Sequence, residues 1–208
     1  TVNGGFAQYC AVNESQVYHL SDGTSYEQGA MCEPVACCLH GIDLCEIKPS
    51  SVVLVIGGGM IGLLMVQLAR LSGASQVILL EPVESKREMG LKLGADHAFD
   101  PLKQDIPEEL QKIGVRRIST VIECVGRVST LQQAISLAGK DSVVMMFGLT
   151  KPDDELSIKP FEIFQKEIVL KASFINPYTQ QRALDLINSG RIDVSSMVAE
   201  VAPLSKLE

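Results

Sequence analysis

Residues 51–81 decide the fold of this 208-residue chain, and they read SVVLVIGGGMIGLLMVQLARLSGASQVILLE. Five apolar residues, Val52–Ile56, are typical of a strand buried on both faces of a parallel sheet. They lead into the turn Gly57–Gly62 with glycines at its first, third and sixth positions, and apolar residues at helical spacing follow as far as the cap glycine Gly73. A second strand, Val77–Leu80, then ends at Glu81, nineteen positions after the last turn glycine. The segment therefore predicts one strand–helix–strand unit.

The spacing within this unit is typical of a dinucleotide site. Gly57 allows the tight turn, Gly59 lets the backbone approach a pyrophosphate, and Gly62 lets the helix and strand pack closely. The helix that begins at Met60–Ile61 presents free N–H groups and the positive end of its dipole to the phosphates. Glu81 is placed to accept hydrogen bonds from both adenosine ribose hydroxyls, which favours NAD. The alternative is a glycine-rich turn in another parallel α/β protein.

Composition narrows the class of protein. The formal charge is −7, and no Lys or Arg cluster is longer than Arg116–Arg117, which argues against a nucleic-acid partner. No apolar run reaches the length of about 20 residues that a membrane helix needs, and no signal peptide opens the sequence. We expect a cytoplasmic protein with one full core and part of another.

The cysteines favour packing over metal binding or disulfides. None of the six forms a Cys-x-x-Cys pair, and four fall in one predicted helix, where small buried thiols are common. Reduced thiols agree with the cytoplasmic expectation. They are Cys10, Cys32, Cys37, Cys38, Cys45 and Cys124.

The residues before the glycine turn predict two short strands, Phe6–Val12 and Gln16–Leu20, which carry too few apolar residues for a domain of their own. A helix follows from Ser25 or Tyr26 to about Cys45, with a break or kink at Pro34. Glu33 stands beside that proline in an apolar stretch, so it faces solvent or belongs to a site. His40 is interpreted as a partly buried histidine.

After Glu81 the alternation of helix and strand continues, which predicts a doubly wound parallel sheet of six strands, the Rossmann architecture. We expect a short edge strand at Leu156–Ile158, a long sixth strand at Ile168–Phe174 and a last strand at Val198–Val201. The remaining predicted helices are 84–93, 106–113, 129–137, 161–165 and 179–189, and the remaining predicted strands are 95–100, 118–124 and 142–147.

The whole chain resembles the zinc-dependent medium-chain alcohol and polyol dehydrogenases, of the sorbitol dehydrogenase or threonine dehydrogenase type. Four short motifs carry the resemblance: Gly4–Tyr9, Glu33-Pro34 with His40, Glu123–Gly126 and Leu156–Pro160. It implies three segments: 1–45, a remnant of the β-rich, GroES-like catalytic domain with its connecting helix; 46–176, the Rossmann domain; and 177–208, a return segment.

The resemblance also implies roles for further residues. Lys86 stands where a basic side chain contacts the adenosine ribose, and Arg127 where an arginine lies against adenine. Backbone and apolar atoms of three segments would hold nicotinamide, namely Cys124–Val125, Phe147-Gly148-Leu149 and Ser173-Phe174-Ile175. Pairing of Leu156-Ser157-Ile158 with its copy would form a homodimer or tetramer.

The family's zinc ligands do not match this sequence, because its catalytic cysteine, its Gly-His-Glu motif and its four structural cysteines would lie upstream of Thr1. Only Glu33 could touch the zinc chemistry, as a ligand or by hydrogen bonding to zinc-bound water. We expect the complete enzyme to move a hydride between a secondary alcohol, such as a polyol or threonine, and NAD. Residues 1–208 alone should bind NAD and lack turnover. A redox-sensing NAD module and a methyltransferase stay open as alternatives.

Overall fold

The structure, a computed structural model, describes residues 4–206, so the extreme ends of the first and third predicted segments lie outside it. Six parallel strands form one sheet in the order β3-β2-β1-β4-β5-β6. The predicted doubly wound Rossmann sheet is confirmed. The strands are β1 Val52–Ile56, β2 Gln76–Leu80, β3 His97–Phe99, β4 Thr120–Glu123, β5 Val143–Met146 and β6 Val169–Ala172.

Helices connect and flank the strands. They are α1 Tyr26–Ala30, α2 Cys32–Cys45, α3 Met60–Leu71, α4 Glu84–Lys92, α5 Ile106–Lys112, α6 Val128–Leu137, α7 Pro160–Lys166 and α8 Gln180–Asn188. Short 3₁₀ turns occur at Glu14–Gln16, Ser195–Met197 and Leu204–Lys206. No helix among residues 4–206 has the length and apolar character needed to cross a membrane.

Strand β1 shows why the sheet has a core on each face. Its side chains alternate, so Val53 and Val55 pack into one hydrophobic cluster with α2, α3 and α8. Leu54 and Ile56 pack into a second cluster with α5 and α6 on the opposite face. All four are almost completely buried, as the uninterrupted apolar run predicted.

Helices α2 and α8 pack against each other as well as against the sheet. The Thr179 hydroxyl donates to the Ala36 carbonyl at 2.7 Å, and the Arg182 guanidinium binds the Asp43 carboxylate at 2.5 and 3.0 Å. Parts of segments 1–45 and 177–208 thus share one hydrophobic cluster with the Rossmann sheet. The boundaries of the three predicted segments stay predictions.

Several sequence predictions near the ends are wrong. Residues 6–12 and 16–20 form no strand, because no neighbouring strand pairs with them, and Phe6 and Tyr9 are 84% and 92% exposed. Residues 198–201 also form no strand. Residues 156–158 pair with no strand of residues 4–206, and their predicted pairing with a second copy of the chain stays a prediction. Strand β6 is shorter than predicted.

The predicted break in the first long helix is present, but it lies at Met31, before Pro34. Helix α1 begins with a capping box, in which Ser25 accepts from the Gln28 N–H and the Gln28 side chain accepts from the Ser25 N–H. Pro34 is the third residue of α2, where its missing N–H removes no helical hydrogen bond.

Candidate dinucleotide site

A cleft opens at the carboxyl ends of β1 and β4, which are neighbours in the sheet. Helix α3 leaves β1 toward one face and α6 leaves β4 toward the other, so the two connections diverge and leave a crevice between them. The cavity there is about 480 Å³. It is lined by Ile56, Gly57, Leu80, Glu81, Pro82, Pro101, Leu102, Val125, Arg127, Ser129, Thr130 and Gln133.

The glycine turn forms one wall of the cleft. Gly57 has a φ of 99°, a backbone conformation that residues other than glycine rarely adopt. Its N–H donates to the Leu80 carbonyl at 2.8 Å. A Cβ at Gly62 would lie 1.7 Å from the Gly57 carbonyl oxygen, so the first turn of α3 packs directly on the loop. A Cβ at Gly59 would meet nothing within 4 Å. The space beside Gly59 is thus open to a pyrophosphate.

The N-terminus of α3 is suited to bind that pyrophosphate. Its N-cap residue is Gly59, which has no side chain to accept from the first helical N–H groups. Those groups belong to Met60, Ile61 and Gly62, and they point out of the helix toward its N-terminal end. The first residues of α3 therefore offer free donors where the sequence predicted them.

Glu81 follows β2 and lies in the cleft wall beside the turn. Its carboxylate accepts from the Gly58 N–H at 2.6 Å and from the Val83 N–H at 2.9 Å, and the residue is only 5% exposed. A carboxylate with two oxygens has further lone pairs beyond these two bonds. Glu81 is thereby held in one orientation with capacity left for ribose hydroxyls.

Two basic residues on α4, Lys86 and Arg87, differ in whether they contact the loop after β2. Lys86 is exposed on α4 and is not among the residues that line the cleft. Arg87 donates to the carbonyls of Glu81 and Pro82 at 2.9 and 2.8 Å, and its guanidinium lies 3.7 Å from the Asp100 carboxylate. Arg87 therefore fixes the backbone beneath the predicted ribose site, and the role of Lys86 stays a prediction.

Two of the three segments predicted to hold nicotinamide lie in neighbouring loops. Val125 is 42% exposed, and a Cβ at Gly57 would lie 2.7 Å from its side chain. A Cβ at Gly126 would lie 2.4 Å from the Leu149 carbonyl oxygen. The loop after β4, which contains Cys124 and Arg127, and the loop Phe147-Gly148-Leu149 after β5 therefore pack against each other.

The third predicted nicotinamide segment follows β6. The Ser173 hydroxyl oxygen is buried and has no hydrogen-bond partner within residues 4–206. A buried polar atom without a partner is destabilising, so the hydroxyl of Ser173 is a hydrogen-bonding group left unsatisfied by residues 4–206. Phe174 and Ile175 are exposed, and Ile175 has a φ of 52°. Ile175 lines a different cavity, which also contains Glu33.

Glu33 lies in the first turn of α2 with its side chain exposed, at the wall of this second cavity of about 680 Å³. The Cys37 thiol donates to its carboxylate at 3.1 Å. Burial raises the pKa of this thiol to about 12, and the hydrogen bond to Glu33 and its negative charge add to the rise. The thiol therefore stays protonated at neutral pH.

The donors near Glu33 do not fit a zinc site. His40 is seven positions further along α2, a rise of about 10 Å, whereas zinc ligands lie about 2 Å from the metal. Across residues 4–206, no three His, Cys, Asp or Glu side chains come together as a metal site. Cys32, Cys38 and Cys45 are instead buried in the cluster beneath α2.

Sequence reasoning missed several residues of the cleft. Pro101 and Leu102 follow β3, and Ser129, Thr130 and Gln133 lie in the first turns of α6. Their position after the carboxyl ends of β3 and β4 could have identified them, because ligands of open α/β sheets bind outside these strand ends. Their residue types alone carry no such signal.

The family model of the zinc-binding dehydrogenases matches residues 60–189, more than half of the chain. The chain belongs to the zinc-binding dehydrogenase family. Its matched part runs from the first residue of α3 through α8, so it contains most of the cleft described above.

Curated members of this family match the chain along its whole length. D-arabinitol dehydrogenase 1 of Uromyces fabae is 29% identical over 212 positions, covering 100% of this chain and 60% of that protein. Sorbitol dehydrogenase of Bacillus subtilis is 26% identical over 208 positions, covering 100% and 59%. The chain spans about 60% of the length of these relatives.

Solved structures in the family share the fold. A protein from Sinorhizobium meliloti 1021, assigned as a zinc-binding dehydrogenase and crystallised with NADP, superposes with a TM-score of 0.91 at 40% identity, covering 95% of this chain and 58% of that chain. Galactitol-1-phosphate dehydrogenase from Escherichia coli gives a TM-score of 0.84 at 25% identity, covering 95% and 59%. The chain therefore shares the Rossmann fold of solved members of the zinc-binding dehydrogenase family.

Proposed function

We propose that this chain binds NAD as the cofactor portion of a zinc-type dehydrogenase that oxidises a secondary alcohol. One observation carries the proposal: the crevice between β1 and β4 joins an uncapped helix N-terminus, an open glycine turn and the oriented Glu81 carboxylate. These are the features that a dinucleotide requires of a Rossmann sheet. When bound, NAD supplies the ring that accepts or donates the hydride.

In this proposal each part of the cleft binds one part of the cofactor. The N–H groups at the start of α3 hold the pyrophosphate, and Glu81 accepts from the adenosine ribose. Arg127 lies along the adenine, with Pro101 and Leu102 supplying apolar contact across the same cavity. Val125 and the loop Phe147–Leu149 hold the nicotinamide, and the unpartnered Ser173 hydroxyl donates to its carboxamide.

We further propose a preference for NAD over NADP. A 2′-phosphate would lie against the Glu81 carboxylate, and repulsion at a partly buried position amounts to a few kcal/mol by a Coulomb estimate. Arg87, which could offset that repulsion, is already bound to two carbonyls and faces Asp100. The protein from Sinorhizobium meliloti carries NADP, so this preference would distinguish the two proteins.

Binding is tested by the melting temperature of the 208-residue chain with NAD, NADP, ADP-ribose and S-adenosylmethionine. The proposal expects stabilisation by NAD and ADP-ribose, because a ligand that binds only the folded state raises its stability. The variant Gly59→Ala is the matched control: its new methyl group enters open space in the protein, so the fold should persist while pyrophosphate binding is lost. Stabilisation by S-adenosylmethionine alone would favour the methyltransferase alternative and overturn the proposal.

The substrate of the complete enzyme is proposed to be a polyol or a related secondary alcohol, since relatives named for arabinitol and sorbitol match the whole chain. Because Glu33 and His40 cannot share a metal, we propose that residues 1–208 bind NAD without turning over an alcohol. A redox-sensing NAD module would have the same properties, and zinc-dependent reduction of NAD by sorbitol in this chain would contradict both. We place the protein in the cytoplasm, in agreement with the cysteines of α2, none of which forms a disulfide within residues 4–206.

Self-association is proposed through Leu156–Ile158. Leu156 packs on the second hydrophobic cluster, Ile158 is partly exposed, and β6 has a strand neighbour on one side only within residues 4–206. A strand edge with unpaired N–H and C=O groups favours pairing with another chain. Ser157→Pro should remove a ladder hydrogen bond and weaken a dimer seen by sedimentation. A wild-type chain that stays monomeric at high micromolar concentration would contradict this.

A further inference from the structure

Glu123, the last residue of β4, is a buried carboxylate to which the proposed cofactor contacts give no role. It is 0% exposed and does not line the cleft. Burying a charged group is strongly unfavourable unless hydrogen bonds replace its water. Its retention here therefore calls for a specific set of partners.

Those partners all come from the loop that follows β4 and from the start of α6. The Glu123 carboxylate accepts from the Val125 N–H at 2.8 Å, from the Gly126 N–H at 3.0 and 3.2 Å, and from the Thr130 hydroxyl at 2.7 Å. Gly126 has a φ of 75°, so the loop turns sharply around the carboxylate. Glu123 thus fixes the backbone that presents Val125 to the cleft.

The second loop of the nicotinamide end is bound to the same residue. The backbone carbonyl of Glu123 accepts from the Phe147 N–H at 3.0 Å and from the Gly148 N–H at 2.8 Å. A Cβ at Gly148 would lie 2.8 Å from a carboxylate oxygen of Glu123, so Gly148 packs directly on the charge. The carboxylate therefore lies beneath both loops that are proposed to hold nicotinamide.

The charge of Glu123 has no counter-ion. All its donors are neutral, and no Lys, Arg or His within residues 4–206 forms an ion pair with it. Neutral donors orient and stabilise a carboxylate without cancelling its field. The negative potential therefore persists at the nicotinamide end of the cleft.

We infer that Glu123 is a positioning residue for the nicotinamide loops and that its charge favours the oxidised over the reduced dinucleotide. The inference rests on the proposed function. The oxidised nicotinamide ring carries a positive charge and the reduced ring is neutral, so a nearby buried carboxylate attracts only the oxidised form. Two charges about 8 Å apart interact by about 0.5 kcal/mol in water and about 2 kcal/mol at an effective dielectric constant of 20. These energies correspond to between about twofold and thirtyfold in affinity.

The test measures dissociation constants for NAD⁺, NADH and ADP-ribose by calorimetry in the wild-type chain and in Glu123→Gln. The glutamine oxygen can accept the three shorter bonds, and only the 3.2 Å contact to Gly126 is lost, so this variant retains the local geometry. We expect the ratio of the NAD⁺ constant to the NADH constant to rise by between about twofold and thirtyfold. ADP-ribose affinity should change little, because it lacks the nicotinamide ring.

Two further variants separate charge from geometry. Glu123→Asp keeps the charge on a shorter side chain, so both dinucleotides should bind more weakly while their ratio stays within about twofold of wild type. Glu84→Gln removes an exposed charge in the first turn of α4 and should leave all three constants unchanged. If Glu123→Gln does not fold, wild-type affinity of Glu123→Asp for both dinucleotides would by itself overturn the positioning role.

The outcomes distinguish this inference from the proposed function. Binding of ADP-ribose by every variant, with the same NAD⁺ to NADH ratio in wild type and Glu123→Gln, would refute the electrostatic role alone. Equal weakening of NAD⁺ and NADH in Glu123→Gln would also refute it, because a purely structural role affects both forms alike. Failure of the wild-type chain to bind ADP-ribose would refute the proposed function itself.

Discussion

Glu81 and Glu123 occupy equivalent places in the molecule and differ in what surrounds them. Glu81 directly follows β2, Glu123 is the last residue of β4, and both carboxylates accept from backbone N–H groups. The donors to Glu81 are Val83 in its own loop and Gly58 in the turn after β1, whereas both backbone donors to Glu123 lie in the loop that follows it. Glu81 borders the cleft, whereas Glu123 is covered by two loops and receives a hydroxyl donor as well. The comparison shows that burial separates two glutamates at strand ends: the one proposed to bind a ligand borders the cleft, and the one proposed to hold a ligand-binding loop is covered by protein.

Removing each carboxylate should have very different effects on stability. Glu123→Ala leaves the Val125 and Gly126 N–H groups without their carboxylate partner and creates a cavity, so the free energy of unfolding should fall by about 3–5 kcal/mol. Glu81→Ala leaves its donors beside an open cleft, where water replaces the carboxylate, and should lose only about 1–2 kcal/mol. Urea denaturation followed by circular dichroism measures both. Equal losses of unfolding free energy in the two variants would mean that the difference in burial has no effect on stability.

Adding a methyl group beside each glutamate should also destabilise the protein more at Glu123 than at Glu81. A Cβ at Gly148 would lie 2.2 Å from the Gly126 nitrogen, a backbone atom that cannot move without the loop, so Gly148→Ala should cost about 2–3 kcal/mol. A Cβ at Gly58 would lie 2.9 Å from the Glu81 Cγ, which is a side-chain atom and not backbone, so Gly58→Ala should cost less, about 1 kcal/mol. Thermal unfolding of both variants measures the effect. A larger loss of stability in Gly58→Ala than in Gly148→Ala would contradict the prediction.

Cofactor preference should respond to one glutamate and not to the other. Glu81→Gln removes the charge that would repel a 2′-phosphate, so the ratio of NADPH to NADH affinity should rise by about tenfold. Glu123→Gln should leave that ratio unchanged, since both cofactors carry the same nicotinamide. Fluorescence titration with NADH and NADPH tests the prediction. Wild-type binding of NADPH as tightly as NADH would refute the role given to Glu81.

Substitution of the exposed Glu33 should have the smallest effect of these changes, and the effect should be on the reactivity of the Cys37 thiol. Burial and Glu33 together raise the pKa of Cys37 to about 12, so little thiolate is present at pH 8. Glu33→Gln removes the negative charge that opposes ionisation, which lowers this pKa, and alkylation of Cys37 by iodoacetamide should become severalfold faster. Mass spectrometry of the Cys37 peptide gives the rate. An unchanged rate would mean that burial alone controls the thiol.

The parts of the fold with local signals were predictable. Strand β1, the glycine turn and α3 follow from an apolar run and glycine spacing within one segment, and the parallel order follows from the alternation of strands with helices. The N-terminal strand prediction was wrong because pairing depends on a partner strand that residues 4–206 do not supply. The helix break lies at Met31 because Pro34 has no N–H to donate to the Ala30 carbonyl four residues earlier, so α1 ends at Ala30 and α2 begins at Cys32.

The amino-acid sequence by itself determined the strand–helix–strand unit and the family, and it predicted a dinucleotide ligand, because each depends on residues close together along the chain. Only the tertiary structure decided that Glu81 borders the cleft while Glu123 lies under two loops. The structure likewise decided that Arg87 is bound to the backbone and that the Ser173 hydroxyl has no partner within residues 4–206. The physical reason is that burial and hydrogen-bond partners depend on distant segments, which residue type and spacing do not encode.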